Sequence, residues 1–404
     1  MLRSMYSGVS GLRGHQTMMD VVGNNIANVN TTGYKSSQTI FQDLLSQVLQ
    51  GAGMPEGAGG TNPAQVGLGM RLAGTSTNFT QGGLQNTGRS TDLAIQGDGF
   101  FAVRTGAETL YTRAGAFSFD AAGRLTTPQG AVVQGWRANP DGIIDTNAPV
   151  DDIVLPIGAL NAPRATREIV LGGNLPADAA VDDAIRTSIT LFDDQGAAVD
   201  VSFLWTKTAT DAWEVEAFDA DGTSLGAGTA TFNPDGSANA TTLTLANPPG
   251  SWSAAPTVTF GAQGQPLTQF AEVNTIAALS QNGAAAGSLQ SFSISPDGVI
   301  TGVFSNGRNQ NLGQVALAAF NNPSGLEKTG GSMYRPTVNS GLVQIGVAGD
   351  GGRGMLAGGT LEMSNVDLAQ EFTNLIVAQR GFQANSRVVT SSDELLQELV
   401  NMKR

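Results

Sequence analysis

Cysteine is missing from this 404-residue sequence, and histidine occurs once, as His15. A chain without cysteine forms no disulfide and offers no thiolate, either as a nucleophile or as a metal ligand. A single histidine also nearly excludes a histidine-based metal site. We therefore expect no metal, no cofactor and no catalytic residues, and we interpret His15 as a packing or polar-face residue of a helix.

Positive charge is scarce as well, since 21 Lys and Arg residues stand against 34 Asp and Glu residues and the net charge is −13. Nucleic acids and anionic membranes bind clustered Lys and Arg, because those side chains neutralise phosphates. The first twenty residues, MLRSMYSGVSGLRGHQTMMD, contain no long apolar run. We expect no nucleic-acid partner, no membrane insertion and no cleaved signal peptide.

Glycine is abundant, at 53 residues, and the acidic charge is concentrated in one interior stretch. Residues 146 to 285 contain 16 Asp or Glu and 4 Lys or Arg, so this stretch carries a net charge of −12. Such uneven charge indicates a separate domain. The length of the chain predicts roughly two to four domains in total.

The N-terminal residues have the apolar spacing of a coiled-coil helix. Alternating steps of three and four residues from Leu2 reach mostly apolar positions, and this a/d pattern allows one stripe of side chains to pack against another helix. We predict a helix that Gly33 ends, because glycine tolerates positive φ. The candidate interface residues of this helix are Leu2, Met5, Val9, Leu12, Met19 and Ile26.

The C-terminal residues contain a second apolar row, with a spacing of seven. A companion row, four residues further along, is half polar and includes Phe372. SNVD at 364–367 is typical of a capping box, with Ser364 as the N-cap and Asp367 at the third helical position. The candidate interface residues of this helix are Leu361, Leu368, Phe372, Leu375, Phe382, Val389 and Leu396.

Two interpretations of these terminal seams are open. The helices could pack on a globular core, or they could pair with each other and with neighbouring copies. Gly-rich stretches at 50–60 and 347–359 separate both helices from the rest of the chain. A two-helix unit with apolar residues on further faces is only marginally stable alone. The position of both seams at the ends of the chain therefore favours association into a coiled-coil-like inner domain.

The stretch GNNIANVNTTGYK, residues 23–35, places four asparagines where the first helical pattern finishes. No nucleophile, metal ligand or base accompanies them, so packing is favoured over a polar active site. Asn24 and Asn28 lie four residues apart, on one helical face. We predict that both set the register of a helix–helix contact, as a buried Asn does in coiled coils.

The interior has the period-two pattern of β-strands. VDVSFLW (199–205) and WEVEA (213–217) place apolar residues at every second position. DLAIQGDGFFAV (92–103) places Leu93, Ile95, Phe101 and Val103 on one face, with two glycines between them in the same parity. Five stretches place a polar turn closed by glycine after an apolar strand end: FDAAG, FDDQG, FDADG, FNPDG and ISPDG. The sequence therefore predicts hairpin-rich antiparallel sheets with a solvated acidic face.

Adjacent carboxylates raise the question of hydrolytic chemistry. The pairs Asp151/Asp152, Asp182/Asp183 and Asp193/Asp194 could serve glycoside hydrolysis, which needs two carboxylates across a cleft. Neighbouring acids on turns are more often solvated surface. FDADGTS resembles half of a calcium loop, but Ala230 stands where the twelfth-position Glu is required. A secreted β-rich carbohydrate-active protein therefore stays a minor alternative.

Four segments resemble bacterial flagellar rod and hook proteins, the axial proteins of the flagellum. SGLRGHQTMMDVVGNNIANVNTTGYK (10–35) is similar to their N-terminal signature, and the last 41 residues, from SNVDLAQEF onward, are similar to their C-terminal signature. NTGRSTDLAIQGDGFFAV (86–103) and YTRAGAFSFDAAGRLTTPQG (111–130) resemble the β domain that the family shares.

This resemblance implies an α+β, multidomain chain with nested domains. Residues 1–70 and 361–404 correspond to an inner helical polymerisation domain, residues 71–145 and 286–360 to a middle β domain, and residues 146–285 to an outer acidic β domain. Distal rod proteins lack so large an insert, so the chain is more similar to the hook members of the family. The distal rod proteins remain the alternative.

The hook members imply a structural, non-enzymatic role in motility. Copies polymerise into the curved, flexible tube that acts as a universal joint between motor and filament outside the cell. The implied partners are further copies of the chain, the rod, the hook cap and the hook–filament junction proteins, and the flagellar type III export apparatus, which needs no cleaved signal peptide. Since cysteine is absent, cross-linking of subunits through cysteine is excluded.

Overall fold

The computed structural model describes residues 2–52, 60–156, 158, 160–239, 242–246, 248–261 and 265–402. The chain forms two compact units. Unit 1 comprises Met1–Leu155, Phe292–Thr301 and Gln310–Arg404, and unit 2 comprises Pro156–Ser291 and Gly302–Asn309. Both are rich in β structure, and a helix stands at each end of the chain, so a β-rich multidomain fold is confirmed. The division into three nested domains stays a prediction.

Strands and helices follow one another closely along the chain. The first part of unit 1 contains helix α1, Leu2–Ala27, and strands β1 Ser37–Asp43, β2 Ser46–Gln50, β3 Ala64–Gly67, β4 Met70–Thr77, β5 Leu84–Asn86, β6 Leu93–Gln96, β7 Phe100–Thr105, β8 Glu108–Thr112, β9 Ser118–Phe119, β10 Leu125–Thr126, β11 Val132–Arg137 and β12 Asp151–Asp152. Unit 2 then contributes β13 Leu160–Asn161, β14 Glu168–Asn174, β15 Ala184–Phe192, β16 Ala198–Ala209, β17 Ala212–Phe218, β18 Ser224–Thr231, β19 Thr242–Thr244, β20 Thr257–Phe260, β21 Leu267–Thr268 and β22 Ala277–Gln281.

The remaining elements belong mainly to unit 1, although residues 287–291 and 302–309 belong to unit 2. They are β23 Gly287–Ile294, β24 Val299–Phe304, β25 Asn309–Val315, β26 Leu317–Ala319, a 3₁₀ turn at Pro323–Gly325, β27 Glu327–Gly330, β28 Met333–Arg335, a 3₁₀ turn at Val338–Ser340, β29 Gln344–Gly346, β30 Met355–Gly358, β31 Thr360–Glu362 and helix α2, Leu368–Met402. No helix in the described parts of the chain is both long and apolar enough to cross a membrane.

Unit 1 is built around an antiparallel sheet in the order β25–β11–β7–β8–β28–β27. Strand β7 is buried on both faces, because Phe101 and Val103 enter one apolar core while Phe100 and Ala102 enter a second one. The predicted period-two pattern is therefore present here. Glycine at 97 and 99 adopts positive φ, which bends the chain between β6 and β7.

Unit 2 contains a four-stranded antiparallel sheet, β15–β16–β17–β18, and a second sheet in the order β19–β20–β14–β21, with β22 also paired to β14. Strand β14 runs parallel to β20 and β21, so the prediction of antiparallel sheets is wrong for this second sheet. The inward side chains of β16 and β17 alternate as the sequence predicts: Val201, Phe203, Trp205, Trp213 and Val215 are fully buried. Glu214, between Trp213 and Val215, is exposed. The half-buried strands with an acidic outer face are thus confirmed.

The five predicted turns are also confirmed. Each closing glycine, at 123, 196, 222, 236 and 298, has φ between +76° and +87°. In each turn the first polar residue accepts a hydrogen bond from the glycine N–H, as Asp120 O does from Gly123 N at 3.0 Å. A residue with Cβ is strained at such φ values, so glycine is required by the backbone here.

Two helix boundaries differ from the prediction. Helix α1 ends at Ala27, six residues before Gly33, because Asn28 and Thr31 already redirect backbone hydrogen bonds into turns. Gly33 lies in the following loop at φ +66°. At α2 the N-cap is Asp367 and not Ser364, since the Asp367 carboxylate accepts from Ala369 N at 2.8 Å and Gln370 N at 3.3 Å.

Candidate functional site: the paired terminal helices

Helices α1 and α2 lie against each other and run antiparallel. Near one end, the hydroxyls of Ser4 and Ser392 are 3.3 Å apart. Near the other end, Asn25 Nδ2 donates to Glu371 Oε1 at 3.2 Å. Two helices that are distant in sequence are therefore held along their length within one chain.

Small residues bring the two helices close together. A Cβ placed on Gly8 would lie 3.1 Å from Val389 Cγ2, and one on Gly11 would lie 2.6 Å from Asn385 Oδ1. A Cβ on Gly381 would lie 2.4 Å from the ring of His15. Since interaxial distance depends on the side chains at the contact, glycine at these places permits a close crossing.

The contact face of α1 is displaced by one residue from the predicted seam. The residues of α1 that contact α2 include Ser4, Gly8, Gly11, His15 and Asn25. The predicted apolar row lies beside them: Met5, Leu12, Met19 and Ile26 are half-buried, and Val9 is exposed. The side chain of Leu2 lies outside the described residues. Within one chain, the apolar row is thus not the centre of the contact.

The contact face of α2 uses part of the predicted row. Leu375, Phe382, Val389 and Leu396 are half-buried, whereas Leu368 and Phe372 are exposed. The companion row is not the predicted one that includes Phe372. It lies one residue earlier along the chain and consists of Glu371, Ala378, Asn385 and Ser392. Leu361 belongs to strand β31 and precedes the helix.

Asn25 is the buried asparagine of the run, and the sequence pattern did not single it out. Its side chain is fully buried and all of its hydrogen-bonding capacity is used: Nδ2 donates to Ser37 O and Glu371 Oε1, and Oδ1 accepts from Tyr34 OH and Ser37 N. It therefore joins α1, the loop after it and α2. Asn25 shares one heptad position with Ser4 and Gly11, and this spacing was the signal available in the sequence.

Asn24 and Asn28 bond locally in this chain. Asn24 Nδ2 donates to Tyr34 OH at 3.1 Å, and Asn28 Nδ2 donates to Asn24 O at 2.8 Å. Among the described residues, neither side chain bonds to α2. Their predicted role in a contact between copies stays a prediction.

Glu371 carries a buried carboxylate that is only half satisfied. The residue is 7% exposed, and its Oε2 has no hydrogen-bond partner among the described residues. Burial raises the pKa of Glu371, the bond from Asn25 lowers it, and the charge of Asp367 raises it further; the net direction is upward. A carboxylate with a free buried oxygen is costly unless something approaches it.

A second buried group of charges joins the segments that follow α1 and precede α2 to the sheet of unit 1. Glu362, at the end of β31, accepts from Lys35 Nζ at 2.6 Å and from Arg113 Nη1 at 3.3 Å. Its carboxylate also accepts from Gly82 N at 2.9 Å. The side chains of Lys35 and Glu362 have no exposed surface. Four separated chain segments meet at this one carboxylate.

The acidic pairs do not form a hydrolytic site. The prediction that they are solvated is wrong for Asp152 and Asp193, which are buried. Asp152 pairs with Arg104 and Gln134, and Asp193 accepts from Ser251 N, Ala197 N and Gln195 N. These backbone donors, Ser251 foremost, hold the pKa of Asp193 below its usual range, so it is an ionised turn cap. No metal-binding group of three His, Asp or Glu side chains occurs in the described parts of the chain.

Four family models match the chain in order. Residues 5–35 match flagella basal body rod protein, residues 94–172 match the flagellar hook protein FlgE/F/G D1 domain, residues 173–284 match the flagellar basal body protein FlaE D2 domain, and residues 357–402 match the C-terminal part of flagellar basal body rod FlgEFG protein. Together they define the class of flagellar rod and hook proteins.

Relatives refine this class. The flagellar hook protein FlgE of Borreliella burgdorferi is 40% identical over 100% of both chains. The flagellar basal-body rod protein FlgG of Bacillus subtilis is 34% identical over 100% of both chains. The crystal structure of Helicobacter pylori flagellar hook protein FlgE2 shares the fold with a TM-score of 0.53 and 14% identity, over 67% of this chain and 98% of that one. The chain belongs to the flagellar hook protein FlgE family, the structural subunits of the flagellar hook.

Proposed function

We propose that copies of the chain polymerise into the curved, flexible tube of the hook, and that the terminal helices form its coiled-coil-like inner domain. In this role the chain is not an enzyme but a universal joint that passes motor torque to the filament. The observation that carries the proposal is the apolar surface that the helix pair leaves uncovered.

That surface is large for two helices. The exposed apolar side chains on α1 and α2 are Tyr6, Val9, Leu368, Phe372, Ile376, Val377, Val388, Leu395, Val400 and Met402. Soluble monomers rarely expose so many on one small unit. Burial of each large side chain against a neighbouring copy contributes about 1.5 to 3 kcal/mol, so a few of them suffice to hold a polymer together.

The one-residue offset of the contact faces supports the same conclusion. The small residues of α1 face α2, so the apolar row of Met5, Val9, Leu12, Met19 and Ile26 is left to contact other copies. On α2, Leu368 and Phe372 have the same role, next to Leu375, Phe382, Val389 and Leu396. We retain Leu2, Asn24, Asn28 and Leu361 as interface candidates.

The acidic stretch at 146–285 suits an outer domain that must slide against its neighbours. Surfaces of like charge make weak and reversible contacts and keep the free subunit soluble. The proposed division therefore keeps residues 1–70 and 361–404 inside, residues 71–145 and 286–360 in the middle, and residues 146–285 outside.

The proposed partners follow from this assembly. They are further copies of the chain, the rod, the hook cap, the hook–filament junction proteins and the flagellar type III export apparatus. Export through that apparatus would place the chain in the hook, outside the cell. The glycines in α1 weaken its intrinsic helicity, which suits a segment that passes unfolded through a narrow channel.

A distal rod protein is the second candidate, since a rod-protein relative also aligns over the full chain. The match of residues 173–284 to a D2 domain favours the hook. A carbohydrate-active role has no support from the acidic pairs, whose buried members are bonded as turn caps and ion pairs.

Electron microscopy of the purified full-length chain tests the proposal. We expect curved tubes from the full chain and none from a variant lacking residues 1–70 and 361–404. Straight, rigid tubes would favour the rod. A full-length chain that stays monomeric under all conditions would count against both.

A further inference from the structure

A small polar cavity lies where α1, β1 and the first turns of α2 meet. Its volume is about 220 Å³, and Glu371 forms part of its wall. Gln38, Thr39, Gln370 and Asn374 also line it, and none of these four side chains makes a hydrogen bond to another described residue. The cavity thus combines four uncommitted polar side chains with one buried acid.

Glu371 makes this cavity different from an ordinary surface depression. The carboxylate is more than nine-tenths buried, its Oε1 receives one bond from Asn25, and its Oε2 receives none from the described residues. Buried carboxylates are normally paired with a cation or with several N–H donors. The missing partner is therefore a hydrogen-bond donor, and one that carries positive charge would also neutralise the carboxylate.

The same helices supply unpaired cations. Arg3, Arg13, Arg380 and Arg387 are exposed on α1 and α2, and within the described chain none of them forms an ion pair with a carboxylate. A guanidinium is planar, always charged and weakly hydrated, which makes it the cation best suited to a buried interface.

We propose that the Glu371 cavity receives an arginine side chain from the terminal helices of a second copy of the chain. This assignment rests on the proposed polymerisation. Charge complementarity identifies the second copy, because each chain carries one unpaired buried acid and four unpaired arginines on the same two helices. A contact between two different surfaces of identical copies is heterologous, and contacts of this kind build open helical assemblies.

The surroundings fit an interface that closes on assembly. Phe372 and Ile376, which follow Glu371 on α2, are 49% and 57% exposed. A neighbouring copy that covers these side chains and also the mouth of the cavity would exclude water from it, and the attraction between guanidinium and carboxylate strengthens as the local dielectric falls. The pair then fixes the register of the copies, while the apolar side chains supply most of the free energy.

Sedimentation of polymers from full-length protein tests the pair. We expect Glu371→Gln to raise the critical concentration for assembly at least tenfold, as truncation of one member of a buried interfacial pair does. Glu394→Gln is the matched control, because it removes one exposed negative charge from the same helix and should change the critical concentration little. Circular dichroism of the monomers checks that each variant folds.

Single Arg→Gln changes at positions 3, 13, 380 and 387 then identify the donor. One of them should match the defect of Glu371→Gln, and the double variant should be no worse than either single one. Wild-type tubes together with normal assembly of Glu371→Gln, or strictly additive defects in all four doubles, would overturn this assignment alone. A wild-type chain that never polymerises would overturn the proposed function as well.

Discussion

Charged side chains inside unit 1 have long-range structural roles. Glu362 binds Lys35 and Arg113 although 327 and 249 residues separate them in sequence. The carboxylate is surrounded by donors, including the backbone N–H of Gly82. Such a cluster costs desolvation energy when it forms, but removal of one member leaves uncompensated buried charge. It therefore fixes how the chain closes beneath α1 and α2.

Glu362→Gln should destabilise the chain by about 3 to 5 kcal/mol, because Lys35 and Arg113 would stay buried without their counter-ion. Chemical denaturation measured by fluorescence gives the free energy of unfolding. Glu108→Gln is the control, since Glu108 pairs with Arg335 at the surface, where both side chains are nearly half exposed, and should cost less than about 1 kcal/mol. Equal losses from the two variants would contradict the role of burial.

The carboxyl group of Glu371 should contribute less to the stability of the free subunit at neutral pH than at acid pH. Its folded-state pKa is raised, chiefly by burial. The folded state therefore holds this proton more tightly, and the stability that it contributes is present below the unfolded-state pKa and is lost as the pH rises through the folded-state pKa. Glu371→Gln removes the titration.

Thermal unfolding of both monomers across the range from pH 4 to pH 7 measures this effect. The stability of Glu371→Gln relative to wild type should increase as the pH rises. A stability difference between the two proteins that stays constant from pH 4 to pH 7 would contradict the raised pKa of Glu371. Greater stability of the monomer together with weaker assembly would also separate the two roles of Glu371.

The terminal helices differ from ordinary amphipathic helices in where they place glycine. Gly8 and Gly11 of α1 and Gly381 of α2 lie in the contact, and each lowers helix propensity by up to about 1 kcal/mol relative to Ala. The close crossing that they permit offsets this loss only when the two helices are paired. Helix formation and pairing are therefore coupled.

Two alanine substitutions in α1 should have opposite effects. Gly23 has no atom within 4 Å of an added Cβ, so Gly23→Ala should stabilise the chain by about 0.5 to 1 kcal/mol. Gly11→Ala brings the same propensity gain but places Cβ against the Asn385 amide, which bonds Gly381 O at 2.8 Å. Thermal unfolding should therefore rank Gly23→Ala above wild type and Gly11→Ala below it.

An equal gain in thermal stability from both alanine substitutions would show that the two helices can move apart without a loss of stability. Helical content of the two variants, measured by circular dichroism before heating, serves as the check that neither substitution breaks α1 itself.

On the scale of the whole molecule, unit 2 has its own core. Most of its large buried apolar side chains lie between Ile169 and Ile276, with Trp205 and Trp213 fully buried in this cluster. Since a domain is stabilised by its own core, this unit should not depend on the terminal helices for its fold.

A fragment comprising residues 160–291 should therefore unfold in one cooperative transition. Tryptophan fluorescence during denaturation measures this, because Trp205, Trp213 and Trp252 lie in the fragment. Trp205→Ala should lower its stability by about 3 to 5 kcal/mol, because it leaves a large cavity. Gradual unfolding without a transition would show that unit 2 needs the rest of the chain.

Much of the local structure could be predicted from the sequence. The two terminal helices, the alternation of β16 and β17, and the five glycine turns follow from periodicity and backbone chemistry, which act over a few residues. The predicted cap at Ser364 was wrong because Asp367 also has a capping side chain, and Asp367 lies directly before the first helical residue. Two nearby residues with equally good capping side chains give equal local signals, and these signals do not specify which of the two is the N-cap.

The candidate site was harder to predict, because the face of each helix that forms the contact depends on the helix that packs against it. A seven-residue apolar repeat was visible in both helices, yet the contact in α1 uses Ser4, Gly8, Gly11 and His15, one residue earlier. Rules for coiled coils place apolar residues at the seam, whereas here the closest approach needs residues that lack bulk. The same shift brings position 25 rather than Ile26 to the contact, so Asn25 is the asparagine that is buried against α2.

The sequence by itself determined the elements of this protein: where helices and strands form, where turns occur, and how the acidic charge is distributed. These follow from interactions between residues that are close along the chain. Only the tertiary structure decided which helix face is inside, which carboxylates are buried, and that Glu362 meets Lys35 and Arg113. The physical reason is that burial and ion pairing depend on distances in space, which chain closure sets and local periodicity does not.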